Sequence, residues 1–120
     1  MMKKILIVDD NAEDIAIIKR FLDEAGFKEV LVAENGEEGV KKAKSEKPNL
    51  AIIDTMLPGI DGFETCRRIK EIEEGRIRVV IITGVFDAVN IAKAKKVGAD
   101  DFTAKTSDCE SLVRVIKQFI

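Results

Sequence analysis

Short apolar runs recur along the chain, and each is continuous rather than alternating with polar residues. The runs are ILIV at 5–8, VLVA at 30–33, LAII at 50–53 and VVII at 79–82. Continuous, largely β-branched runs of this length predict strands that are buried on both faces, as in a parallel sheet. A weaker run, DFTA at 101–104, predicts a fifth strand at an edge of that sheet.

Apolar residues at three- and four-residue spacing fill the intervals between the runs and predict five amphipathic helices. The residues that mark their buried faces are, in chain order, Ile15, Ile18 and Leu22; Val40 and Ala43; Phe63, Cys66 and Ile69; Ile91 and Ala94; and Leu112, Ile116 and Phe119. Gly26 and Gly98 can end the first and fourth helices. Pro48 stops the second, and Asp87 can cap the start of the fourth. This alternation of strand and helix predicts an α/β fold, with helices on both faces of a parallel sheet.

Length and composition fit one compact domain over residues 1–120. Apolar residues make up 46% of the 120 positions. No apolar run approaches the roughly 18 residues of a membrane-spanning helix. The N-terminal stretch lacks a secretory signal pattern, so we expect a cytoplasmic protein. The net charge of -2, from 20 basic and 22 acidic residues, gives no basic patch for nucleic acid or an anionic membrane.

The chain contains no histidine, which narrows its possible chemistry. This excludes the common imidazole base, most zinc sites and any Ser-His-Asp arrangement. Cys66 and Cys109 form neither a CxxC pair nor a metal-ligand spacing, so we expect buried thiols. Any reaction must therefore use carboxylates, lysine, hydroxyl groups or the backbone.

Polar residues stand where four of the predicted strands end. In chain order they are Asp9 and Asp10, Asp54, Thr83, and Lys105. Because ligands of an open α/β sheet bind beyond the carboxyl ends of the strands, we expect these side chains at one rim. Like charges about 4 Å apart repel by roughly 4 kcal/mol at an effective dielectric near 20, so converging carboxylates need countercharge. Lys105 supplies part of it, and a hard divalent cation, Mg²⁺ or Mn²⁺, would supply the rest.

A cation at this rim would also bring a phosphoryl donor close to a carboxylate, which predicts phosphorylation of Asp54. Asp54 follows the middle run of the series and is the best-placed nucleophile. Lys105 would pair with one phosphoryl oxygen, and Thr83 would hydrogen-bond another. Modified Asp54 would gain about one and a half to two negative charges.

Four segments, in this order and spacing, resemble the receiver domain of bacterial two-component response regulators along the whole chain. They are VDDN at 8–11, DTMLPGIDGFE at 54–64, IITG at 81–84 and GADDFTAK at 98–105. The resemblance implies a flavodoxin-like, doubly wound sheet of five parallel strands in the order 2-1-3-4-5. It also implies a phosphorelay, in which a phosphohistidine on a sensor histidine kinase or phosphotransfer protein is the donor.

The resemblance further implies roles for individual residues. The implied metal ligands are Asp9 (mostly through water), Asp10, Asp54 and the backbone carbonyl of Met56. Thr83 and Lys105 would contact the phosphoryl group, and Phe102 occupies the position of the family's aromatic switch residue. Movement of Thr83 toward the phosphate would let Phe102 turn inward and reshape the surface of the fourth helix, fifth strand and fifth helix.

That surface would bind a downstream effector protein. The resemblance implies that the protein is a signalling module, and that it is either a monomer or a phosphorylation-dependent dimer. Its only reactions would be Mg²⁺-dependent self-phosphorylation and autodephosphorylation at Asp54. We expect no direct contact with nucleic acid or membrane.

Three residues depart from the family pattern. Thr106 replaces a proline that commonly follows a cis peptide bond, which costs roughly 3–4 kcal/mol without proline. We therefore expect the loop after Lys105 to be trans and shifted, or strained. Gly84 replaces the more usual alanine, and Phe102 lacks the hydroxyl group of the commoner tyrosine.

Several other protein classes fit the sequence less well. A haloacid-dehalogenase-type phosphatase would need a second aspartate at Met56, and a P-loop enzyme would need GxxxxGK[ST]. A flavin-binding flavodoxin would need a neutral phosphate loop where this chain has DDNAED. The main alternative is a pseudo-receiver, an interaction module not regulated by phosphorylation, and Thr106 keeps that alternative open.

Overall fold

The five predicted strands form one parallel sheet in a computed structural model that describes residues 3–106 and 109–120. The strands are β1 (Lys4–Val8), β2 (Glu29–Ala33), β3 (Leu50–Asp54), β4 (Arg78–Thr83) and β5 (Asp101–Ala104). Their order is β2-β1-β3-β4-β5, and every neighbouring pair is parallel. The predicted strand order and the edge position of β5 are therefore confirmed.

In the described part of the chain, four α-helices connect the strands and a fifth follows β5, as predicted. They are α1 (Ala12–Glu24), α2 (Gly36–Glu46), α3 (Gly62–Lys70), α4 (Ala88–Lys96) and α5 (Glu110–Phe119). Each of the first four is preceded by a residue whose side chain accepts a hydrogen bond from the helix's first turn, an arrangement that satisfies an otherwise unpaired N–H. These capping residues are Asn11, Asn35, Asp61 and Asp87. The predicted cap at Asp87 is thus confirmed.

A short 3₁₀ turn, Ile72–Gly75, follows α3 and was not predicted. Glu73 and Glu74 both have positive φ angles there, of 46° and 57°. Lys70 Nζ donates to the carbonyl oxygens of Gly75 and Ile77, each at 3.0 Å. The lysine therefore holds together a segment that local sequence preference does not favour.

Two hydrophobic layers cover the sheet, because successive strand residues point to opposite faces. One layer packs α2, α3 and α4 against residues such as Ile53 and Ile81. The other packs α1 and α5 against residues such as Ile52 and Ile82. Cys66 and Cys109 are buried thiols, as expected. No helix within the described ranges combines the length and the apolar character needed to cross a membrane.

Candidate functional site

The carboxyl ends of β1 and β3 bring three aspartates together. Val8 pairs with Ile53, so Asp9 and Asp54 follow neighbouring strand ends. One carboxylate oxygen each from Asp9, Asp10 and Asp54 lies within 4.8 Å of the other two. Asp9 is completely buried and Asp54 is 7% exposed, whereas Asp10 is exposed. The cluster is therefore an acidic pocket with one face open to solvent.

Lys105 lies across this pocket from the end of β5. Its Nζ is 2.9 Å from Asp9 Oδ2 and 3.3 Å from Asp54 Oδ2. It is also 2.7 Å from Asp14 Oδ2, a contact that the sequence did not lead us to expect. Asp14 is in the first turn of α1, directly above the strand ends, and this position is the signal that could have identified it. An ammonium group has three N–H donors, and here each of them faces a carboxylate.

The pocket shifts the protonation equilibria of both partners. Burial raises the pKa of Asp54 above the ordinary aspartate value and the charge of Asp9 adds to the rise, although Lys105 and the Met56 N–H oppose it. Burial alone would lower the pKa of Lys105, but its hydrogen bonds to Asp14 and Asp9 raise it above the ordinary lysine value. Lys105 is therefore a permanent cation at neutral pH, while ionised Asp54 is only partly compensated.

The residues present suit a hard divalent cation. Asp9, Asp10 and Asp54 offer carboxylate oxygens, which are the ligands that Mg²⁺ and Mn²⁺ take in proteins. Asp9 Oδ1 is already oriented by the N–H of Asn11, at 2.9 Å. The assignment of the Met56 carbonyl as a further ligand stays a prediction.

Thr83 lies beside the pocket, at the end of β4, and is 1% exposed. Its Oγ1 accepts a hydrogen bond from Thr55 Oγ1 at 3.1 Å and another from the Val85 N–H at 3.0 Å. It donates to the Val85 carbonyl at 3.2 Å. Sequence reasoning missed Thr55, although a hydroxyl directly after a buried strand was a signal for it. A cavity of about 330 Å³, with Asp54 and Thr83 in its lining, has ample room for a phosphoryl group.

Phe102, on the edge strand β5, is half-buried rather than a core residue. Its ring stacks on that of Phe86, with centroids 5.1 Å apart and planes inclined by 20°. Phe86 itself is 53% exposed in the loop between β4 and α4. The pair was not predicted, because the position of a loop aromatic depends on the loop conformation.

Two of the family departures are resolved by the geometry. The described residues contain no cis peptide bond, so the bond between Lys105 and Thr106 is trans. A Cβ added to Gly84 would meet no atom within 4 Å, so an alanine would fit there. Neither departure disturbs the approach of Lys105 to the aspartates.

Comparison with known proteins agrees with the fold. The family model for the response regulator receiver domain matches residues 5–117. Protein PilH of Pseudomonas aeruginosa is 36% identical over 116 residues, which are 96% of this chain and 95% of PilH. The PhoP transcriptional regulatory protein for alkaline phosphatase synthesis of Bacillus subtilis is 34% identical over 105 residues. That match takes in 88% of this chain but only 43% of PhoP, so this chain spans less than half of that relative.

Among solved structures, the CheY-like receiver domain protein of Methanospirillum hungatei has a TM-score of 0.89 at 30% identity. The match covers 98% of this chain and 93% of that one. The chain belongs to the response regulator receiver domain family, the signalling modules of two-component systems.

Proposed function

We propose that this receiver domain, residues 1–120, is a phosphorylation switch in which Asp54 is the phosphoacceptor. The observation that carries the proposal is the position of Asp54. Its carboxylate lines the cavity and lies close to the carboxylates of Asp9 and Asp10 and to the Lys105 ammonium group. Solvated surface charges would not explain why Asp9 is completely buried in this cluster. A site built to hold a cation beside a phosphoryl group would explain it.

The proposed cation is Mg²⁺ or Mn²⁺, held by Asp9, Asp10, Asp54 and the backbone carbonyl of Met56. When bound, it would neutralise phosphoryl oxygens and lower the repulsion that an anionic donor meets at this acidic rim. Receiver domains in general bind Mg²⁺ through such an acidic pocket.

The proposed reaction is a transfer from a phosphohistidine on another protein, since this chain has no histidine. A carboxylate oxygen of Asp54 attacks phosphorus with its lone pair, and the P–N bond breaks. The electrons of that bond return to the imidazole, which then takes a proton from solvent. Lys105 pairs with a phosphoryl oxygen and Thr83 donates to another. Hydrolysis of the aspartyl phosphate by water would return the switch to its resting state.

The proposed partners are a sensor histidine kinase or phosphotransfer protein and a downstream effector. The effector would bind the surface of α4, β5 and α5, where Phe102 lies, and the domain would be a monomer or dimerise on phosphorylation. We propose no direct contact with nucleic acid or membrane. The cytoplasmic location expected from the sequence is part of the same proposal.

Acetyl phosphate, a small phosphoryl donor, tests the proposal directly. In the presence of Mg²⁺, intact mass should show the gain of one phosphoryl group, and a chelator should abolish it. Asp54→Asn should stay unmodified. The matched control is Asp23→Asn, an exposed carboxylate at the opposite end of α1, which should behave as wild type. Failure of wild type to gain a phosphoryl group would favour the pseudo-receiver alternative, which Thr106 keeps open.

A further inference from the structure

Thr55 and Thr83 face each other across the ends of β3 and β4. Asp54 pairs with Ile82, and the Thr55 N–H donates to the Ile82 carbonyl at 3.1 Å, which extends this pairing beyond the end of β3. Thr55 is 8% exposed and Thr83 is 1% exposed. Their hydroxyl oxygens are 3.1 Å apart, with Thr55 as the donor.

The hydrogen-bonding capacity of the Thr83 hydroxyl is fully used in this arrangement. A hydroxyl group has one donor and two acceptor sites. Thr83 donates to the Val85 carbonyl and accepts from the Val85 N–H and from Thr55. To donate to a phosphoryl group on Asp54, Thr83 must break its hydrogen bond to the Val85 carbonyl. Its hydroxyl must also rotate, which disturbs the hydrogen bonds that it accepts from the Val85 N–H and Thr55.

We propose that Thr55 is a positioning residue that holds Thr83 in the resting arrangement and so sets how readily the switch turns on. The inference rests on the proposed function, because it takes Thr83 to be the group that contacts the phosphoryl oxygen. Thr55 itself does not touch the reacting atoms in this scheme.

The same arrangement reaches the protein surface through the loop after β4. The Val85 carbonyl accepts a second hydrogen bond, from Asn90 Nδ2 of α4 at 2.9 Å. The next residue, Phe86, stacks on Phe102 of β5. A turn of the Thr83 side chain therefore changes the hydrogen bonding of Val85, whose carbonyl contacts α4 and whose neighbour Phe86 contacts β5.

The direction of the effect follows from which state contains the bond. A hydrogen bond made only in the resting state opposes activation, and removing it shifts the population toward the active state. An ordinary intramolecular hydrogen bond corresponds to roughly a two- to twelvefold change in an equilibrium constant. If the active state is a minor one, the apparent affinity for a phosphoryl analogue rises by the same factor.

The test compares wild type with Thr55→Val, which keeps the shape but removes the hydroxyl, and with Thr55→Ser, which keeps the hydroxyl. The probe is beryllium fluoride with Mg²⁺, a non-covalent phosphoryl mimic, titrated calorimetrically. Thr55→Val should bind it about two- to twelvefold more tightly. Thr55→Ser should stay within about twofold of wild type, because the donor is retained.

Amide NMR signals of Val85 and Phe86 give a second measurement, made without the probe. In Thr55→Val they should move from the free wild-type positions toward those of the beryllofluoride complex, whereas a purely structural role would not produce this direction. Unchanged or weaker binding by folded Thr55→Val, or Val85 signals that stay at the free wild-type position, would overturn the inference. If wild type itself binds no beryllofluoride, the proposed function fails and the inference fails with it.

Discussion

Replacing Asp54 with asparagine removes one charge from the acidic pocket at nearly constant side-chain size, and it should stabilise the metal-free protein at neutral pH. At an effective dielectric near 20, charges 4.8 Å apart repel by about 3.5 kcal/mol, and one carboxylate oxygen each of Asp9 and Asp54 lies within that distance of the other. Lys105, 3.3 Å away, attracts by about 5 kcal/mol on the same basis. Exposed Asp10 adds a repulsion nearer 1 kcal/mol, because water screens it.

These opposing terms cancel to within about 1 kcal/mol, so the hydration that Asp54 loses on burial decides the balance. Burial raises the pKa of Asp54, which means that the folded protein holds this proton more tightly than the unfolded chain does. Stability therefore falls as pH rises from the ordinary aspartate range through the folded pKa, and it stays reduced above that range. Asparagine cannot ionise and avoids this loss.

We expect Asp54→Asn to be more stable by about 1–2 kcal/mol near neutral pH in a chelating buffer. For a chain of this length, that difference corresponds to roughly 4–8 °C in Tm. The difference in stability between wild type and Asp54→Asn should vanish below about pH 4, where the aspartate is protonated and is as neutral as the asparagine. Thermal and urea unfolding followed by circular dichroism measure it.

The control is Glu29→Gln, which removes one charge at an exposed position of the edge strand β2 and should change stability little. Added Mg²⁺ should stabilise wild type more than Asp54→Asn, because the variant lacks one ligand. If Asp54→Asn were less stable than wild type at neutral pH without metal, while Glu29→Gln was unchanged, the expected gain from removing the buried charge would be contradicted.

Three further outcomes follow from the packing around the site. Asp100→Ala should lower the free energy of unfolding by about 2–4 kcal/mol, because it removes the acceptor of the Val79 N–H and the carboxylate partner of the Lys70 ammonium, each 2.8 Å from Asp100 Oδ2. Gly62→Ala should cost about 1–3 kcal/mol in urea unfolding and weaken Mg²⁺ binding by titration, since the new Cβ would lie 2.0 Å from the Asp54 carbonyl oxygen. Of the residues of α4, all of which are described, Ala94 alone is buried, so α4 should exchange its amide hydrogens faster than α1 or α5.

Each of these outcomes has a matched comparison. Arg78→Ala removes only the exposed partner of Asp100 and should cost less than about 1 kcal/mol; an equal loss would contradict the role given to the Val79 and Lys70 contacts. Gly84→Ala adds a methyl group in open space and should be nearly neutral. If it were as harmful as Gly62→Ala, close backbone approach would not explain the effect. Exchange in α4 as slow as in α1 would contradict the burial argument.

Stability should also depend on pH through Asp100. Burial would raise the pKa of this carboxyl, but the hydrogen bonds from Lys70 and the Val79 N–H outweigh it and lower the pKa below the ordinary aspartate value. The contribution of Asp100 to folding stability is therefore complete at pH values above the ordinary aspartate pKa. It is lost as pH falls through the lowered pKa of the folded protein.

The sheet could be predicted because β1, β3 and β4 are buried on both faces and so appear as unbroken apolar runs. In a parallel sheet, the residues at the carboxyl ends of the strands must meet at one rim, so the sequence alone predicts that Asp9, Asp54 and Lys105 lie together. These steps need only the order of residues along the chain.

Contacts that depend on side-chain direction or on distant segments could not be predicted in this way. The contact of Asp14 with Lys105 joins the first turn of α1 to the end of β5. The bond between Thr55 and Thr83 depends on the register of two strands. The turn after α3 relies on Lys70, which also contacts Asp100 from thirty residues away. No local pattern encodes such long-range pairs.

We expect Asp54, and no other residue, to accept a phosphoryl group in a cation-dependent reaction. Acetyl phosphate treatment, borohydride reduction of the aspartyl phosphate to the alcohol, and peptide mass mapping locate the modified residue. We predict modification at Asp54 alone, only with Mg²⁺ or Mn²⁺, and none in Asp54→Asn. Modification at another carboxylate, or a phosphoryl group acquired while a chelator is present throughout, would contradict this prediction.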